Sequence, residues 1–193
     1  VLTSGGIGSH HVLATCVHAR SQDLAPAAIQ FPQPVTDHVR ETLRTLARFD
    51  PSLRLLPSEL LLPPALLYAS TRARFDSNEY YIPVGGSSPR GTLGFVAAGA
   101  ELAAQIAADD CPDPDVVVVP ASSGGTLAGL LVGLDRAGLS TAVVGVRVVD
   151  WYVTNRFTVS RLANRTARLC DWPARYARDD ITFIDGYLGD GYA

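Results

Sequence analysis

Apolar residues recur along this chain in two rhythms. Short dense runs alternate with longer stretches in which they return every three or four positions. The densest short run, Val116-Val117-Val118-Val119, predicts a strand buried on both faces of a parallel sheet. Small residues follow from Ser122 to Thr126, and the apolar run Leu127 to Leu134 then predicts a helix. Further strands are expected at Ala27 to Phe31, Leu53 to Leu56, Tyr80 to Val84, Thr141 to Val149 and Ile181 to Ile184. Helices are expected over 10–22, over 64–74, in the alanine-rich run ending near Ala108, and over 154–169. Another starts at Thr36, a capping residue ahead of Val39, Leu43, Leu46 and Ala47. Repeated β-α alternation with short links predicts an α/β fold of three layers, with mainly parallel sheets and helices on both faces. The stretch Arg74 to Asn78 is the expected boundary between a smaller lobe, residues 1–75, and part of a larger one, residues 76–193.

The turn Ser122-Ser123-Gly124-Gly125-Thr126 carries the first chemical signal. A strand, a Gly/Ser/Thr turn and a helix start bring free backbone N–H groups, hydroxyls and a positive helix end to one point. That combination holds a phosphate without a cationic side chain. The same spacing also suits an ordinary βα corner in which the glycines only ease the turn. Thr3-Ser4-Gly5-Gly6-Ile7-Gly8-Ser9-His10-His11 is a second glycine turn that opens a helix, hence a second candidate anion site.

Composition narrows the field. The sixteen basic residues are all arginine, and neither lysine nor methionine occurs in the 193 residues. With no initiator methionine, the expectation is a processed, excised or incomplete piece. A net charge of −3 gives no reason to expect nucleic acid or an anionic membrane as a partner. No apolar run reaches the length of a membrane span. Cys16, Cys111 and Cys170 form neither a disulfide framework nor a CxxC site, so a reducing, cytoplasmic setting is expected.

Three common α/β explanations fail on spacing. A P-loop needs a lysine after its last glycine, whereas Thr126 follows Gly125. The dinucleotide fingerprint needs a third glycine, but Gly6-Ile7-Gly8 runs into Ser9-His10-His11. A hydrolase elbow centred on Ser123 needs a later histidine, and His10, His11, His18 and His38 all precede it.

TSGGIGSHH at 3–11, YYIPVGGSSPRGTLGF at 80–95, SSGGTLAGL at 122–130 and GYLGDGYA at 186–193 together resemble one family. It is the pyridoxal-phosphate family of 1-aminocyclopropane-1-carboxylate deaminase and D-cysteine desulfhydrase, within the tryptophan-synthase-β-like fold (fold type II). The motifs stand in the family's order and cover nearly the whole chain. The resemblance implies pyridoxal 5′-phosphate as cofactor, with its phosphate gripped by Ser122, Ser123, Gly124, Gly125 and Thr126 in the larger lobe. It implies a substrate-carboxylate clamp at Ser9, His10 and His11 in the smaller lobe. Ser9 then lies beside the reacting carbon, His10 meets the cofactor's phenolic oxygen, and Tyr192 lies near the substrate. His10 stands where the family usually has asparagine, and Gly8 where it often has glutamine. The lysine that carries the cofactor is expected before Val1, and the partner of the pyridine nitrogen after Ala193.

The expected function is therefore that of a lyase or deaminase acting on a small amino acid, giving a keto acid and ammonia. The family tends to form dimers, so a homodimer is the expected assembly. The alternative is a non-catalytic homologue that keeps the phosphate pocket and lacks the lysine. No metal is expected, since nothing completes a ligand set around His10, His11 and His18. Cys16 is expected in the core, one of Tyr80 and Tyr81 faces a cleft at most, and Asp150-Trp151-Tyr152 reads as a structural corner. The arginine-rich stretch Arg156 to Arg178 reads as a solvated face.

Overall fold

The computed structural model describes residues 1–76 and 78–189. Its elements are β1 (Leu2–Gly6), α1 (His10–Ser21), β2 (Ala27–Phe31), α2 (Asp37–Ala47), β3 (Ser52–Leu55), α3 (Leu62–Phe75), α4 (Leu93–Ala107), β4 (Val116–Ala121), α5 (Gly125–Arg136), β5 (Ala142–Arg147), α6 (Arg156–Leu169) and β6 (Thr182–Ile184). These elements form two compact units, Val1–Gly85 and a second that begins at Gly86.

In the first unit β1, β2 and β3 form a parallel sheet in that order, with Leu2 opposite Ala27 and Ala27 opposite Ser52. Side chains alternate across β2, so Ala28 and Ile29 face opposite ways. Ala28 packs with Val12 and Cys16 of α1 and Leu46 of α2. Ile29 packs with Leu56 and with Ala69 of α3. Helices therefore cover both faces of this sheet, and Cys16 is core. Thr36 caps α2 by accepting a hydrogen bond from the Val39 N–H, which fixes where that helix starts.

The expected strand at Tyr80 to Val84 is reduced to a single bridge between Tyr81 and Leu2. Pro83 has no N–H to donate, and the chain then turns through Gly85 and Gly86 at φ of 64° and 66°. A ladder cannot continue across that pair.

In the second unit β4, β5 and β6 are again parallel and in that order. Val117, Val119 and Ala121 pack into a core with Leu127 of α5 and Val159 and Ala163 of α6. The other face, carrying Val116 and Val118, is about half exposed among the described residues. Among the described residues the valine run is buried on the Val117 side, where α5 and α6 pack, and about half exposed on the Val116 side, so the expected burial is met on one face.

Helix α5 carries glycine at every fourth position, Gly125, Gly129 and Gly133, which puts them on one stripe. A Cβ at Gly129 would stand 2.7 Å from the Thr92 carbonyl oxygen, and one at Gly133 would stand 2.6 Å from that of Val96. The stripe lets α4 lie directly against the α5 backbone. Helix α6 is held at its start by a capping box: Asn155 accepts from the Phe157 and Thr158 N–H groups while Thr158 Oγ1 accepts from the Asn155 N–H. No helix of the described residues is long and apolar enough to cross a membrane.

Candidate functional site

In the second unit the chain leaves β4 at Ala121 and enters α5 through Ser122, Ser123 and Gly124. Gly124 is the N-cap and sits at φ +82°, a conformation that a side chain resists. Its Cβ would also approach Val159 Cγ2 to 3.0 Å. At Gly125 the reason for glycine is space, since a Cβ there would stand 2.6 Å from Ser87 Oγ. Ser87 in turn donates a hydrogen bond to Ser123 Oγ over 2.7 Å.

Thr154, buried just ahead of α6, donates its hydroxyl hydrogen to the Ser122 carbonyl. The loop is thereby tied on one side to Ser87 and on the other to Thr154. Within it, the backbone N–H groups of Gly125 and Thr126 have no hydrogen-bond partner among the described residues. They point out of the first turn of a helix of 12 residues, where the helix dipole favours an anion.

These features fit the phosphate end of pyridoxal phosphate. Unpaired donors, hydroxyls at Ser123 and Thr126, and two glycines where a side chain would be strained or crowded make an arrangement that fits an anion. Ser122, Ser123, Gly124, Gly125 and Thr126 all lie in it. Ser87 is an addition that sequence reasoning missed. The repeated small residues of GGSS were visible, but nothing in the sequence shows that they pack against Ser123, which lies 36 residues later.

In the first unit the turn after β1 leads into α1 through Ser9. The Ser9 backbone is extended (φ −68°, ψ 117°) and its Oγ accepts from the Val12 N–H over 3.4 Å, an N-cap arrangement. The N–H groups of His10 and His11 have no backbone partner among the described residues, so this helix start too is open to an anion. The His10 ring is exposed and lies edge-on to the His38 ring, with centroids 4.8 Å apart.

His11 turns inward. Its Nε2 lies 2.7 Å from Thr3 Oγ1, while the Thr3 hydroxyl donates to the Ile82 carbonyl over 2.9 Å. Thr3 spends its one hydrogen on Ile82, so His11 Nε2–H is the donor to Thr3. Burial pushes the His11 pKa below the ordinary imidazole value, and a hydrogen bond with the Pro83 backbone offsets part of that.

Tyr81 is likewise half-buried, with its hydroxyl 3.0 Å from Ser4 Oγ. Burial raises its pKa and the Ser4 hydrogen bond opposes the rise. Tyr80 and the Trp151–Tyr152 corner are exposed. Tyr192 lies outside the described residues.

Comparison with known proteins matches residues 11–193 to the family described as pyridoxal-phosphate dependent enzyme. A nocardicin C-9′ epimerase of Nocardia uniformis subsp. tsuyamanensis is 34% identical across 100% of the chain and 59% of its own length. A D-cysteine desulfhydrase of Klebsiella pneumoniae is 29% identical across 100% of the chain and 58% of its own length. Among solved structures, an ACC deaminase homologue superposes with a TM-score of 0.76 at 25% identity, covering 97% of this chain and 55% of that one. The chain thus spans less than two thirds of the length of each of these relatives. The fold is that of fold-type-II pyridoxal-phosphate enzymes, and a threonine deaminase shares it at 18% identity with a TM-score of 0.58.

Proposed function

Because the chain belongs to the pyridoxal-phosphate dependent enzyme family, we propose that it forms the phosphate-binding and carboxylate-binding parts of a lyase or deaminase. The substrate is a small amino acid of the D-cysteine or 1-aminocyclopropane-1-carboxylate kind, and the products are a keto acid and ammonia. The observation that carries this reading is the cradle at the head of α5, with its two unpaired N–H groups and the Ser87–Ser123 hydrogen bond.

Pyridoxal phosphate, when bound, supplies an electron sink for the negative charge that develops beside the amino-acid nitrogen. The chain's residues bind and orient. Gly125 and Thr126 hold the phosphate through backbone N–H groups, and Ser123 and Thr126 hold it through hydroxyls. Ser9 and the open N–H groups of His10 and His11 clamp the substrate carboxylate at the positive end of α1. In this reading Ser9 Oγ would hold a proton beside the reacting carbon. The ring of His10, exposed in the first unit, would on this reading donate to the cofactor's phenolic oxygen. The chain contains no lysine, so these roles cover binding and positioning, and the amine that carries the cofactor is not among its side chains.

A second reading, epimerisation at the substrate's α-carbon, draws support from the 34% match to an epimerase across the whole chain. With D-cysteine or another amino acid that bears an α-hydrogen both readings would begin with removal of that proton, whereas 1-aminocyclopropane-1-carboxylate has no α-hydrogen and would have to react at its ring carbons. One experiment separates them: the full-length protein with pyridoxal phosphate in deuterated water, given D-cysteine, 1-aminocyclopropane-1-carboxylate and a panel of D- and L-amino acids. Keto acid with ammonia supports the lyase or deaminase. Deuterium at the α-carbon with inverted configuration and no keto acid supports the epimerase. No deuterium uptake and no product from any compound overturns both.

A further inference from the structure

The carboxyl edge of the first sheet carries the turn from β1 into α1 and, beside it, the link from β2 into α2. Loops at that edge of a parallel sheet are where α/β proteins bind ligands. Gln33 lies in the second of these loops, between Pro32 and Pro34. Each proline fixes its own φ, and Pro34 also restricts Gln33 to extended backbone. Thr36 then closes the link as the cap of α2. The backbone that carries the Gln33 side chain is therefore set in advance.

Gln33 reaches back over the glycine turn. A Cβ on Gly8 would stand 3.0 Å from Gln33 Nε2, and one on Gly6 would stand 2.9 Å from Gln33 Cδ and overlap its Oε1. Positions 6 and 8 of the turn supply no side chain of their own, and residue 33 lays an amide over both. That residue is half-buried, and its amide has no hydrogen-bond partner among the described residues. Neither polar atom of the amide is sealed from solvent. The N–H groups of Gly8, His10 and His11 around the same turn are unpaired as well among the described residues. Arg40, the next arginine along the chain, is exposed and paired with Asp37 over 2.8 Å. An amide with two spare N–H donors, set beside three spare backbone donors, answers a carboxylate.

We propose that Gln33 is a substrate-binding residue. Its Nε2–H donates to the α-carboxylate of the amino-acid substrate, alongside the N–H groups of Gly8, His10 and His11. The inference rests on the reading of this turn as the carboxylate clamp, and it adds to that clamp a donor from a different loop. Hydrogen bonds to an ionised carboxylate are stronger than those between neutral groups, so the loss of one donor is felt in affinity.

Calorimetric titration of the full-length, cofactor-loaded protein tests the proposal, with alanine and alaninamide of both configurations as probes. The two compounds share the amine and differ at the carboxylate, so the ratio of their affinities reads carboxylate recognition. In the parent protein, alanine of one configuration is expected to bind at least about tenfold more tightly than its amide. Gln33→Leu should weaken alanine by about tenfold and leave alaninamide where it was. Gln33→Glu keeps the size and sets a carboxylate against that of the ligand, so it should remove the preference altogether. A packing role alone would lower the melting temperature of Gln33→Leu and weaken both compounds by the same factor, and that outcome overturns the proposal. An undiminished preference in Gln33→Leu and Gln33→Glu also overturns it, while keeping the clamp. A parent protein with no preference for alanine over alaninamide removes the clamp reading and this inference together.

Discussion

Ser87 donates a hydrogen bond to Ser123 across 2.7 Å, and its oxygen occupies the space that a side chain on Gly125 would need. One serine thus braces the cradle and crowds the position a Cβ at residue 125 would take. Gly125→Ala should push the Ser87 hydroxyl away from Ser123 and lower affinity for pyridoxal phosphate by about tenfold, with little loss of stability. Ser87→Ala should lower affinity by a smaller factor. Equilibrium dialysis with each variant, alongside a melting curve, checks both. An unchanged affinity in Gly125→Ala would separate Ser87 from phosphate binding.

Ser9 has two assigned roles that one substitution distinguishes. As the cap of α1 it is worth about 1 kcal/mol, which Ser9→Ala should remove from the stability of the protein. In the proposed role of holding a proton in the full-length protein, it would be worth about 10²- to 10⁴-fold in kcat. The expected outcome is loss of both, with cofactor affinity retained. A lowered melting point with full turnover would leave Ser9 as a cap alone.

His11 sets a pH dependence. Its folded pKa is depressed by burial below the ordinary value of 6.5. Below about pH 6.5 the unfolded chain takes up a proton that the folded ring does not, so stability falls as pH drops toward the folded value. The contribution is fully present above that window. His11→Gln, which can still donate to Thr3, should flatten the melting temperature between pH 7 and about 5 relative to the parent protein. An identical pH slope in the two proteins would contradict the assignment.

The glycine stripe predicts where α4 and α5 are least tolerant. Gly133→Val would drive its side chain into the Val96 carbonyl, 2.6 Å from the Cβ position. Overpacking of this kind costs about 1–3 kcal/mol, to be read as a lower midpoint in urea. Gly138→Ala meets no atom within 4 Å but sits at φ +76°, so its cost, about 1–2 kcal/mol, should come from backbone strain alone. A midpoint in Gly133→Val equal to that of the parent protein would contradict the packing described.

Much of this architecture is legible in the sequence because local signals and tertiary packing agree. Ala27–Phe31 stands as read, since Pro32 and Pro34 end the strand, and Thr36 caps α2 as its position suggested. Helix α6 starts beside the expected Thr154, which serves the Ser122 carbonyl instead while Asn155 takes the cap. The failures are tertiary in origin. Nothing local shows that α5 and α6 both pack on the Val117 side of β4, because that depends on how the helices return over the sheet. Tyr80 to Val84 has strand-like residues, but Pro83 and two glycines at positive φ leave only a bridge. The run Leu127 to Leu134 reads as a helix, whereas the close approach of α4 to Gly129 and Gly133 is visible only in three dimensions. The cradle could be recognised as a turn of small residues, yet Ser87 joins it from a distant segment.

The central claim, that the turn from Ser122 to Thr126 holds the phosphate of pyridoxal phosphate, is tested most directly by titrating the protein with pyridoxal phosphate and with pyridoxal, in the parent and in Gly124→Asp. The account predicts that pyridoxal phosphate binds the parent at least about tenfold more tightly than pyridoxal. It also predicts that Gly124→Asp, which sets a carboxylate against the dianion, abolishes that preference while leaving pyridoxal binding in place. Equal affinity of the parent for both compounds, or an undiminished preference in a folded Gly124→Asp protein, would contradict it.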